Sequence, residues 1–207
     1  MIKISPSILN SKNRMDSINK LNNTNADYLH IDVMDGKFVN NTQFPITEIL
    51  ELEKASTKKL DIHLMVENPE EYIDKLNNKF IEFITFHIEI QKNLDELISK
   101  IKDLGYKVGI SIKPNTNINS LLPYLNKIDL VLIMSVEPGF GGQQFMPESL
   151  NKADSIKHIN KNIIIEIDGG IKDSNINIVK EHVDIAVVGS YITNHNNYNE
   201  AINNLKN

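Results

Sequence analysis

The stretch HIDVMDG, residues 30–36, contains polar side chains within what otherwise resembles a buried strand. Because side chains alternate along a strand, His30, Asp32 and Met34 share one face, and Ile31 and Val33 share the other. The apolar pair suits a sheet that packs against helices. An imidazole, a carboxylate and a thioether on the opposite face indicate a site for chemistry.

Two further residues complete a set of metal ligands. His63 lies in DIHLMV, near the end of the third predicted strand, and Asp168 lies in IDGG, at the end of the seventh. A single histidine or aspartate at a strand end is more often a satisfied polar group or a helix cap. The four residues together suit Zn²⁺, Fe²⁺ or Mn²⁺ and leave positions open for a substrate oxygen. We therefore expect one divalent metal ion at His30, Asp32, His63 and Asp168.

Glycine-rich loops follow the last three predicted strands. They are EPGFGGQ (137–143), IDGG (167–170) and VVGS (187–190). A phosphate group needs several backbone N–H groups pointing at it, and glycine lets the chain approach closely. In α/β barrels the loops after the seventh and eighth strands commonly hold phosphate, and a helix beginning after Ser190 would add its dipole. Turn formation explains each loop alone, but the three together predict a phosphate site.

A metal, a phosphate and two carboxylates together suggest proton transfer next to a carbonyl. A metal ion would stabilise an enediolate, one carboxylate would remove a proton, and the other would return one. If the two acids act on opposite faces of the planar intermediate, the carbon inverts, which is epimerisation. Met34, Met65 and Met134 lie at or near strand ends of the same site, where we expect a non-ionic lining, with core packing as the alternative.

Composition excludes several other classes of protein. The chain has 207 residues, of which 41% are hydrophobic and 24% are charged, as in an ordinary globular protein. A net charge of −5 argues against nucleic-acid binding. The absence of cysteine excludes disulfides, thiolate metal sites and a cysteine nucleophile. Neither a signal-peptide pattern nor a long apolar segment is present, so we expect a cytoplasmic protein that does not contact membranes.

Eight short runs rich in β-branched residues alternate with segments whose apolar residues have helical spacing. This alternation predicts parallel βαβ units and an α/β fold, a (β/α)₈ TIM barrel that residues 1–207 form as a single domain. A doubly wound open sheet is the alternative, but SPSIL stands where its G-x-G-x-x-G motif would follow the first strand. In a barrel the carboxyl ends of all strands converge on one mouth, which would bring the polar residues together. The predicted strands are Lys3–Leu9, Tyr28–Met34, Lys59–Val66, Phe83–Ile90, Lys107–Lys113, Leu130–Val136, Ile163–Gly170 and Asp184–Ser190, and the predicted helices include Leu94–Leu104 and Pro147–Ile159.

Several motifs resemble those of the ribulose-phosphate 3-epimerase family, in order and at the expected spacing. They are SPSIL, LHIDVMDGKFVNN, DIHLMVENPEEYI, TFHIE, MSVEPGFGGQQF, EIDGGI and VVGS, and they span Ser5 to Ser190. The resemblance implies a barrel of the ribulose-phosphate-binding type with one divalent metal ion. It also implies interconversion of D-ribulose 5-phosphate and D-xylulose 5-phosphate in the pentose phosphate pathway. The partner would be a small-molecule ketose phosphate, and we expect the protein to be a homo-oligomer.

The resemblance further implies roles for individual residues. His30, Asp32, His63 and Asp168 match the metal ligands, with Asp32 as the proton acceptor and Asp168 as the proton donor. Ser7 and His63 match substrate contacts. A sulfur-lined pocket is matched by Met34, Met65 and Met134, and the phosphate side is matched by Gly139, Phe140, Gly141, Gly142, Gly169, Gly170, Gly189 and Ser190.

Three positions depart from the family pattern. Glu137 stands where an asparagine usually precedes PGFGG, and Lys37 and Asn40 replace the histidine and proline of DGHFVPN. The charge of Glu137 would weaken phosphate binding unless its side chain points outward. Lys37 and Asn40 bear on closure of the loops over the substrate, whereas none of the proposed ligands or acids is altered.

Four other functions share parts of this pattern. An epimerase acting on another ketose phosphate, such as D-allulose 6-phosphate, would use the same mechanism. A barrel resembling orotidine-phosphate decarboxylase would need a lysine where Met34 stands, and a metal-dependent hydrolase would usually have an H-x-H pair on the first strand. A non-catalytic sugar-phosphate binding protein would not need both Asp32 and Asp168.

Overall fold

A curled sheet of nine strands forms the centre of the computed structural model, which describes all 207 residues. Eight strands run parallel and correspond one for one to the eight predicted runs. The ninth is a two-residue strand that pairs antiparallel with the end of the second and was not predicted, because two residues carry no periodicity. The strands are β1 (Lys3–Pro6), β2 (Tyr28–Asp35), β3 (Thr42–Gln43), β4 (Lys59–Met65), β5 (Ile81–His87), β6 (Lys107–Ile112), β7 (Leu130–Met134), β8 (Ile164–Asp168) and β9 (Ile185–Val188).

The two ends of this sheet meet, so that the parallel strands form a closed barrel. The strand order is β1-β9-β8-β7-β6-β5-β4-β2-β3, and a parallel bridge between Ser7 and His30 joins the first strand to the second. At the other end of β1, the Asp27 N–H donates to the carbonyl of Ile4 at 3.0 Å. The predicted (β/α)₈ barrel is confirmed, and the doubly wound open sheet is wrong because closure removes the free edges of an open sheet.

Helices surround the barrel, and both predicted helices are present. Leu94–Leu104 corresponds to α4, whose buried stripe is Leu94, Leu97, Ile98 and Ile101 and whose N-terminus is capped by Asn93. Pro147–Ile159 begins as a 3₁₀ turn, Pro147–Ser149, and continues as α5. Only a 3₁₀ turn, Ile118–Leu121, lies between β6 and β7. The α-helices are α1 (Arg14–Asn22), α2 (Ile46–Ala55), α3 (Glu70–Ile73), α4 (Leu94–Asp103), α5 (Leu150–Ile159), α6 (Asp173–Val179), α7 (Ser190–Thr193) and α8 (Tyr198–Lys206). No helix combines the length and the apolar character that a bilayer span requires.

Alternation along the strands separates two apolar regions. Residues that face outward, such as Ile31 and Val33, belong to a core of 51 buried residues between the sheet and the helices. Residues that face inward include a separate apolar cluster containing Tyr28, Phe83 and Leu130. Towards the carboxyl ends of the strands the interior becomes polar, because inward positions there carry serine, histidine and acidic side chains. The fold thus places its buried polar groups directly below the mouth of the barrel.

Candidate active site

The four predicted metal ligands lie together at the mouth of the barrel. One ligand atom from each of His30, Asp32, His63 and Asp168 lies within 4.8 Å of those of the other three. His30 Nε2 is 3.2 Å and His63 Nδ1 is 3.3 Å from the same oxygen, Asp32 Oδ1. The parallel register aligns Asp32 with His63 across β2 and β4, whereas Asp168 comes from β8 on the far side of the barrel.

The donor atoms of this cluster fit a divalent cation. His30 Nε2 is buried without a hydrogen-bond partner, while His30 Nδ1 lies 2.6 Å from Asp61 Oδ2. A carboxylate only accepts, so the Nδ1 proton belongs to the bond with Asp61, and a neutral His30 directs its Nε2 lone pair at the cluster. Two imidazole nitrogens and two carboxylates form a mixed set that first-row transition metals prefer.

The two aspartates of the cluster have opposite pKa shifts. Burial alone would raise the pKa of Asp32, but the neighbouring imidazoles of His30 and His63 hold it well below its usual range. Burial raises the pKa of Asp168 to about 7, and the charge of Asp32 adds to that effect. Burial would lower the pKa of His30, yet Asp61 and Asp32 together raise it well above the usual value. Environments that separate the pKa values of two carboxyl groups suit one to be a base and the other an acid.

A cavity opens above the cluster and is lined by most of the predicted substrate residues. Its wall includes Ser7, Asp32, Met34, Met65, Met134, Gly139, Phe140, Gly141, Gly142, Asp168, Gly169, Gly170, Gly189 and Ser190. A second cavity of about 820 Å³ adjoins it on the glycine-loop side and shares Gly142, Gly170 and Ser190. His63 does not line the first cavity, because it is fully buried beneath it.

Ser7 contacts one of the two acids directly. Its hydroxyl donates to Asp32 Oδ2 at 2.6 Å and accepts from the N–H of Leu9 at 3.3 Å. An O–H bond to an ionised carboxylate stabilises the charged form, which acts in the same direction as the imidazoles. Ser7 therefore helps to keep Asp32 ionised, in addition to lining the cavity.

The three methionines are buried in different surroundings. Met34 and Met65 lie side by side in the register of β2 and β4 and pack with Val39. Met134 belongs to the apolar cluster inside the barrel. Each is at most 2% exposed, and each still reaches the wall of the cavity. The lining and packing interpretations are thus both compatible with their positions.

The glycine loops pack closely against one another at the mouth. Gly170 has a φ of +66°, and a Cβ there would lie 2.4 Å from the backbone nitrogen of Phe145. The loop after β8 therefore approaches the loop after β7 at a distance that only glycine permits. Asn41 donates to the carbonyl of Gly139 at 2.7 Å, which connects the loop after β2 to the same region.

Residues that depart from the family pattern lie at the rim of this region. The side chains of Lys37, Asn40 and Glu137 are exposed. The backbone carbonyl of Glu137 accepts from Gln143 Nε2 at 2.6 Å, so the residue helps to shape the loop through its main chain. The effect of its charge on phosphate binding stays a prediction.

Several buried polar residues next to the site were given no individual role from the sequence. Asp61 receives hydrogen bonds from Ser5 Oγ at 3.0 Å and from His30, and Glu166 lies beside it. His87 Nε2 lies 2.9 Å from His63 Nε2. Alternation could have revealed two of them, because Asp61 precedes His63 by two positions and Glu166 precedes Asp168 by two.

Comparison with protein families identifies relatives of the whole barrel. The model of the "Ribulose-phosphate 3 epimerase family" matches residues 3–193. The ribulose-phosphate 3-epimerase, cytoplasmic isoform, of Oryza sativa subsp. japonica is 40% identical over 182 residues, covering 85% of this chain and 80% of the relative. The ribulose-phosphate 3-epimerase of Helicobacter pylori strain 26695 is 36% identical, covering 100% of this chain and 97% of the relative.

Solved structures with low sequence identity share the fold. The 3-hexulose-6-phosphate synthase of Salmonella typhimurium has a TM-score of 0.72 at 11% identity and covers 99% of this chain and 96% of its own. The N-(5'-phosphoribosyl)anthranilate isomerase of Pyrococcus furiosus has a TM-score of 0.65 at 13% identity and covers 99% of this chain and 96% of its own. These similarities concern the barrel architecture alone.

Proposed function

This chain belongs to the ribulose-phosphate 3-epimerase family, and we propose that it interconverts D-ribulose 5-phosphate and D-xylulose 5-phosphate by inverting C3. It is an isomerase that acts on a carbohydrate in the pentose phosphate pathway. The observation that carries the proposal is the convergence of two carboxyl groups, Asp32 and Asp168, with two imidazoles, with ligand atoms within 4.8 Å of one another, beside one cavity.

Asp32 acts as the base and Asp168 as the acid for D-ribulose 5-phosphate. Asp32 is ionised because its oxygens face His30, His63 and the Ser7 hydroxyl, so it takes the proton from C3. Asp168 holds a proton near neutral pH because burial and the charge of Asp32 raise its pKa to about 7. Asp168 then protonates the opposite face of C3, and the roles exchange in the reverse reaction.

His30, Asp32, His63 and Asp168 hold one divalent metal ion. A bound Zn²⁺, Fe²⁺ or Mn²⁺ would supply positive charge that stabilises the negative charge developing on the substrate when C3 loses its proton. The protein's own contribution is to keep two imidazole nitrogens and two carboxylates converged, with His30 oriented by Asp61. Met34, Met65 and Met134 limit access of water to this region.

The phosphate of the substrate lies on the side of the glycine loops. Its oxygens bind backbone N–H groups of the segments around Gly142, Gly170 and Ser190, which border both cavities. Nothing in the site favours D-allulose 6-phosphate over the pentose phosphates, and the relatives are named for ribulose phosphate. The remaining expectations, a single domain, a homo-oligomer and a cytoplasmic location, are also part of the proposal.

The proposal is tested by incubating the metal-loaded protein with D-ribulose 5-phosphate in deuterated water. We expect D-xylulose 5-phosphate to form, with deuterium entering C3 of both epimers, as followed by proton NMR. D-Allulose 6-phosphate, tested at the same concentration, should react more slowly. Binding of D-ribulose 5-phosphate without exchange of the C3 proton would instead indicate a non-catalytic sugar-phosphate binding protein.

A further inference from the structure

A chain of hydrogen bonds runs from the proposed metal ligand His63 towards the surface. His63 Nε2 lies 2.9 Å from His87 Nε2, and His87 Nδ1 lies 3.0 Å from Glu89 Oε2. Both imidazoles are fully buried, whereas the side chain of Glu89 is 21% exposed. His87 is the last residue of β5, and Glu89 follows it by two positions, so both belong to the TFHIE segment.

Glu89 is held in place as an acceptor. Its Oε1 receives the backbone N–H of Lys113 at 2.8 Å and the hydroxyl of Thr116, while its Oε2 faces His87. Oε1 thus accepts two hydrogen bonds. Because an ionised carboxylate has no proton to donate, Oε2 can only accept a hydrogen bond from His87. The ring of Phe38 packs against the ring of His87 at an angle of 43°, with ring centres 4.7 Å apart. His87 therefore has a fixed orientation.

These partners determine where the protons lie along the chain. A neutral histidine carries one ring proton, and Glu89 requires the proton of His87 to be on Nδ1. His87 Nε2 is then an acceptor, so His63 must carry its proton on Nε2. His63 Nδ1 is left without a proton, and it faces Asp32 Oδ1 at 3.3 Å, where a cation would be shared by both atoms.

The opposite assignment conflicts with Glu89. A proton on His63 Nδ1, directed at Asp32, would make His63 Nε2 an acceptor and would require His87 to donate from its own Nε2. The bare Nδ1 of His87 would then face the Glu89 carboxylate at 3.0 Å with no hydrogen between them. In our assignment, the contact without a proton is the one between His63 Nδ1 and Asp32 Oδ1. At 3.3 Å it is longer than the contact between His87 and Glu89.

We propose that His87 and Glu89 are positioning residues that act through His63, keeping its Nδ1 available to the metal ion and thereby setting metal affinity. The inference rests on the proposed function, because it takes His63 as a metal ligand. It adds a chain of hydrogen bonds from Glu89 through His87 to His63, separate from the bond by which Asp61 orients His30.

The substitution Glu89→Gln should reverse the direction of the hydrogen bonds along this chain without changing the size of the side chain. An amide has one oxygen and one NH₂ group, and the oxygen must face the two donors from Lys113 and Thr116. The NH₂ group then faces His87 Nδ1 and makes it an acceptor, which transfers the proton of His63 to Nδ1. We expect Zn²⁺ affinity to fall by about 10- to 100-fold, the usual effect of losing an outer partner of a ligand.

Two matched variants separate this effect from a general loss of structure. Glu89→Asp keeps a carboxylate and should restore most of the affinity for Zn²⁺. Glu82→Gln removes a partly buried glutamate at the opposite end of β5, where Glu82 pairs with Lys59 and Lys107 at 2.6 Å each. This control should leave the affinity unchanged within about twofold.

The tautomer of His63 provides a direct measurement. Nitrogen-15 NMR of the metal-free wild-type protein should show the proton of His63 on Nε2, and Glu89→Gln should move it to Nδ1. A wild-type His63 that carries its proton on Nδ1 would overturn the inference even if no variant folds. Unchanged Zn²⁺ affinity and an unchanged tautomer in Glu89→Gln would overturn it equally.

The wild-type protein distinguishes failure of this inference from failure of the proposed function. If wild-type protein neither binds Zn²⁺ nor interconverts the epimers, the proposed function is wrong. If it does both and the Glu89 variants still bind Zn²⁺ like wild type, only the inference about these hydrogen bonds is wrong.

Discussion

Asp32 and Asp168 carry the same chemical group in opposite surroundings. Asp32 faces His30, His63 and the Ser7 hydroxyl, so its ionised form is stabilised and its pKa is held low. For Asp168, burial and the charge of Asp32 outweigh the charge of His30 and raise the pKa to about 7. Two acids of one type thereby acquire different protonation states near neutral pH, which is what inversion at one carbon requires.

Removing either acid should stop epimerisation while leaving the other half-reaction detectable. We expect Asp32→Asn and Asp168→Asn each to lower the epimerisation rate by at least about 10²–10⁴-fold, the usual contribution of a general acid or base. In deuterated water, a variant that retains its metal can still exchange the C3 proton of one epimer without forming the other. Interconversion near the wild-type rate, with metal shown to be bound, would contradict the two-acid mechanism.

Metal binding should release a proton from His30. Asp61 and Asp32 raise the pKa of His30 well above its usual value, overcoming the effect of burial, so its Nε2 is protonated until an ion displaces the proton. Zn²⁺ affinity should therefore fall as the pH falls from 8 to 6, with about one proton released per ion at pH 8 and about two at pH 6, because Asp168, whose pKa is raised to about 7, must also lose its proton. Calorimetry in buffers of different protonation enthalpy measures this release.

A partly exposed histidine supplies the control for this measurement. His182→Asn removes a partly exposed imidazole that pairs with Asp154 at 2.7 Å, away from the site. Its proton release on Zn²⁺ binding should equal that of wild type. Affinity that does not vary with pH in the wild-type protein would contradict the role of His30.

Among the secondary-structure elements, the strands supply the side chains of the site and the loops supply its backbone groups. Parallel register aligns His30 with Asp61 and Asp32 with His63, so β2 and β4 build one half of the cluster. β8 contributes Asp168 from the other side of the barrel. The loops after β7, β8 and β9 contribute backbone groups, and their close packing depends on glycine.

Substitutions at two glycines with similar φ angles distinguish an effect on phosphate binding from an effect of backbone strain. Gly142, in the loop after β7, has a φ of +79°, and Gly105, just after α4, has a φ of +84°. A Cβ at Gly105 meets no atom within 4 Å, and a Cβ at Gly142 meets only Asn10 at 4.0 Å. Alanine at either position should therefore cost about 1–2 kcal/mol of stability through its left-handed backbone alone.

Only the substitution at the mouth should affect the substrate. We expect Gly142→Ala to raise KM for D-ribulose 5-phosphate several-fold with a smaller change in kcat, whereas Gly105→Ala should leave KM unchanged. Steady-state kinetics together with urea unfolding of both variants measure the two effects separately. Equal KM values in the two variants would indicate that the phosphate binds elsewhere.

In the molecule as a whole, closure of the barrel brings the strands and loops of the site together. The bridge between Ser7 and His30 joins β1 to β2 at the level of the site, so the ring of strands closes where the chemistry is placed. The core of 51 residues between the sheet and the helices is continuous. We propose on this basis that residues 1–207 unfold in a single cooperative transition.

A buried glutamate in α2 should make the stability of the molecule depend on pH. Glu53 is 4% exposed, its Oε1 has no hydrogen-bond partner, and burial raises its pKa to about 7. Between pH 4.5, near the unfolded pKa, and pH 7, the folded state binds more protons, so stability falls as the pH rises. Glu53→Gln should increase the free energy of unfolding at pH 8 by about 1–3 kcal/mol, because each pKa unit is worth about 1.4 kcal/mol.

The same helix offers a control for this effect. Glu51→Gln removes an exposed glutamate from α2 and should change the free energy of unfolding at pH 8 by less than about 0.5 kcal/mol. The two variants are compared with wild type by urea unfolding at several pH values between 5 and 8. Equal pH slopes for Glu53→Gln and wild type would show that Glu53 is not responsible.

The sequence by itself determined the strands, the glycine loops and the four residues of the histidine and aspartate cluster. Each of these is a local feature of the sequence. A period of two identifies a strand and its faces within a few residues, and the glycines identify the loops. The short β3 strand and the 3₁₀ turn between β6 and β7 were not predicted, since segments of two to four residues carry no periodicity. Terminal residues of strands differed too, as β5 ends at His87 and not at Ile90.

Only the tertiary structure decided which buried groups meet. The bond from His30 to Asp61, the contact between His63 and His87 and the approach of Gly170 to Phe145 all join residues that are more than twenty positions apart. The opposite pKa shifts of Asp32 and Asp168 likewise depend on burial and on neighbours that closure of the barrel supplies. Electrostatic interactions depend on how close two groups are in space. For residues that are far apart in the chain, the local sequence does not specify that separation.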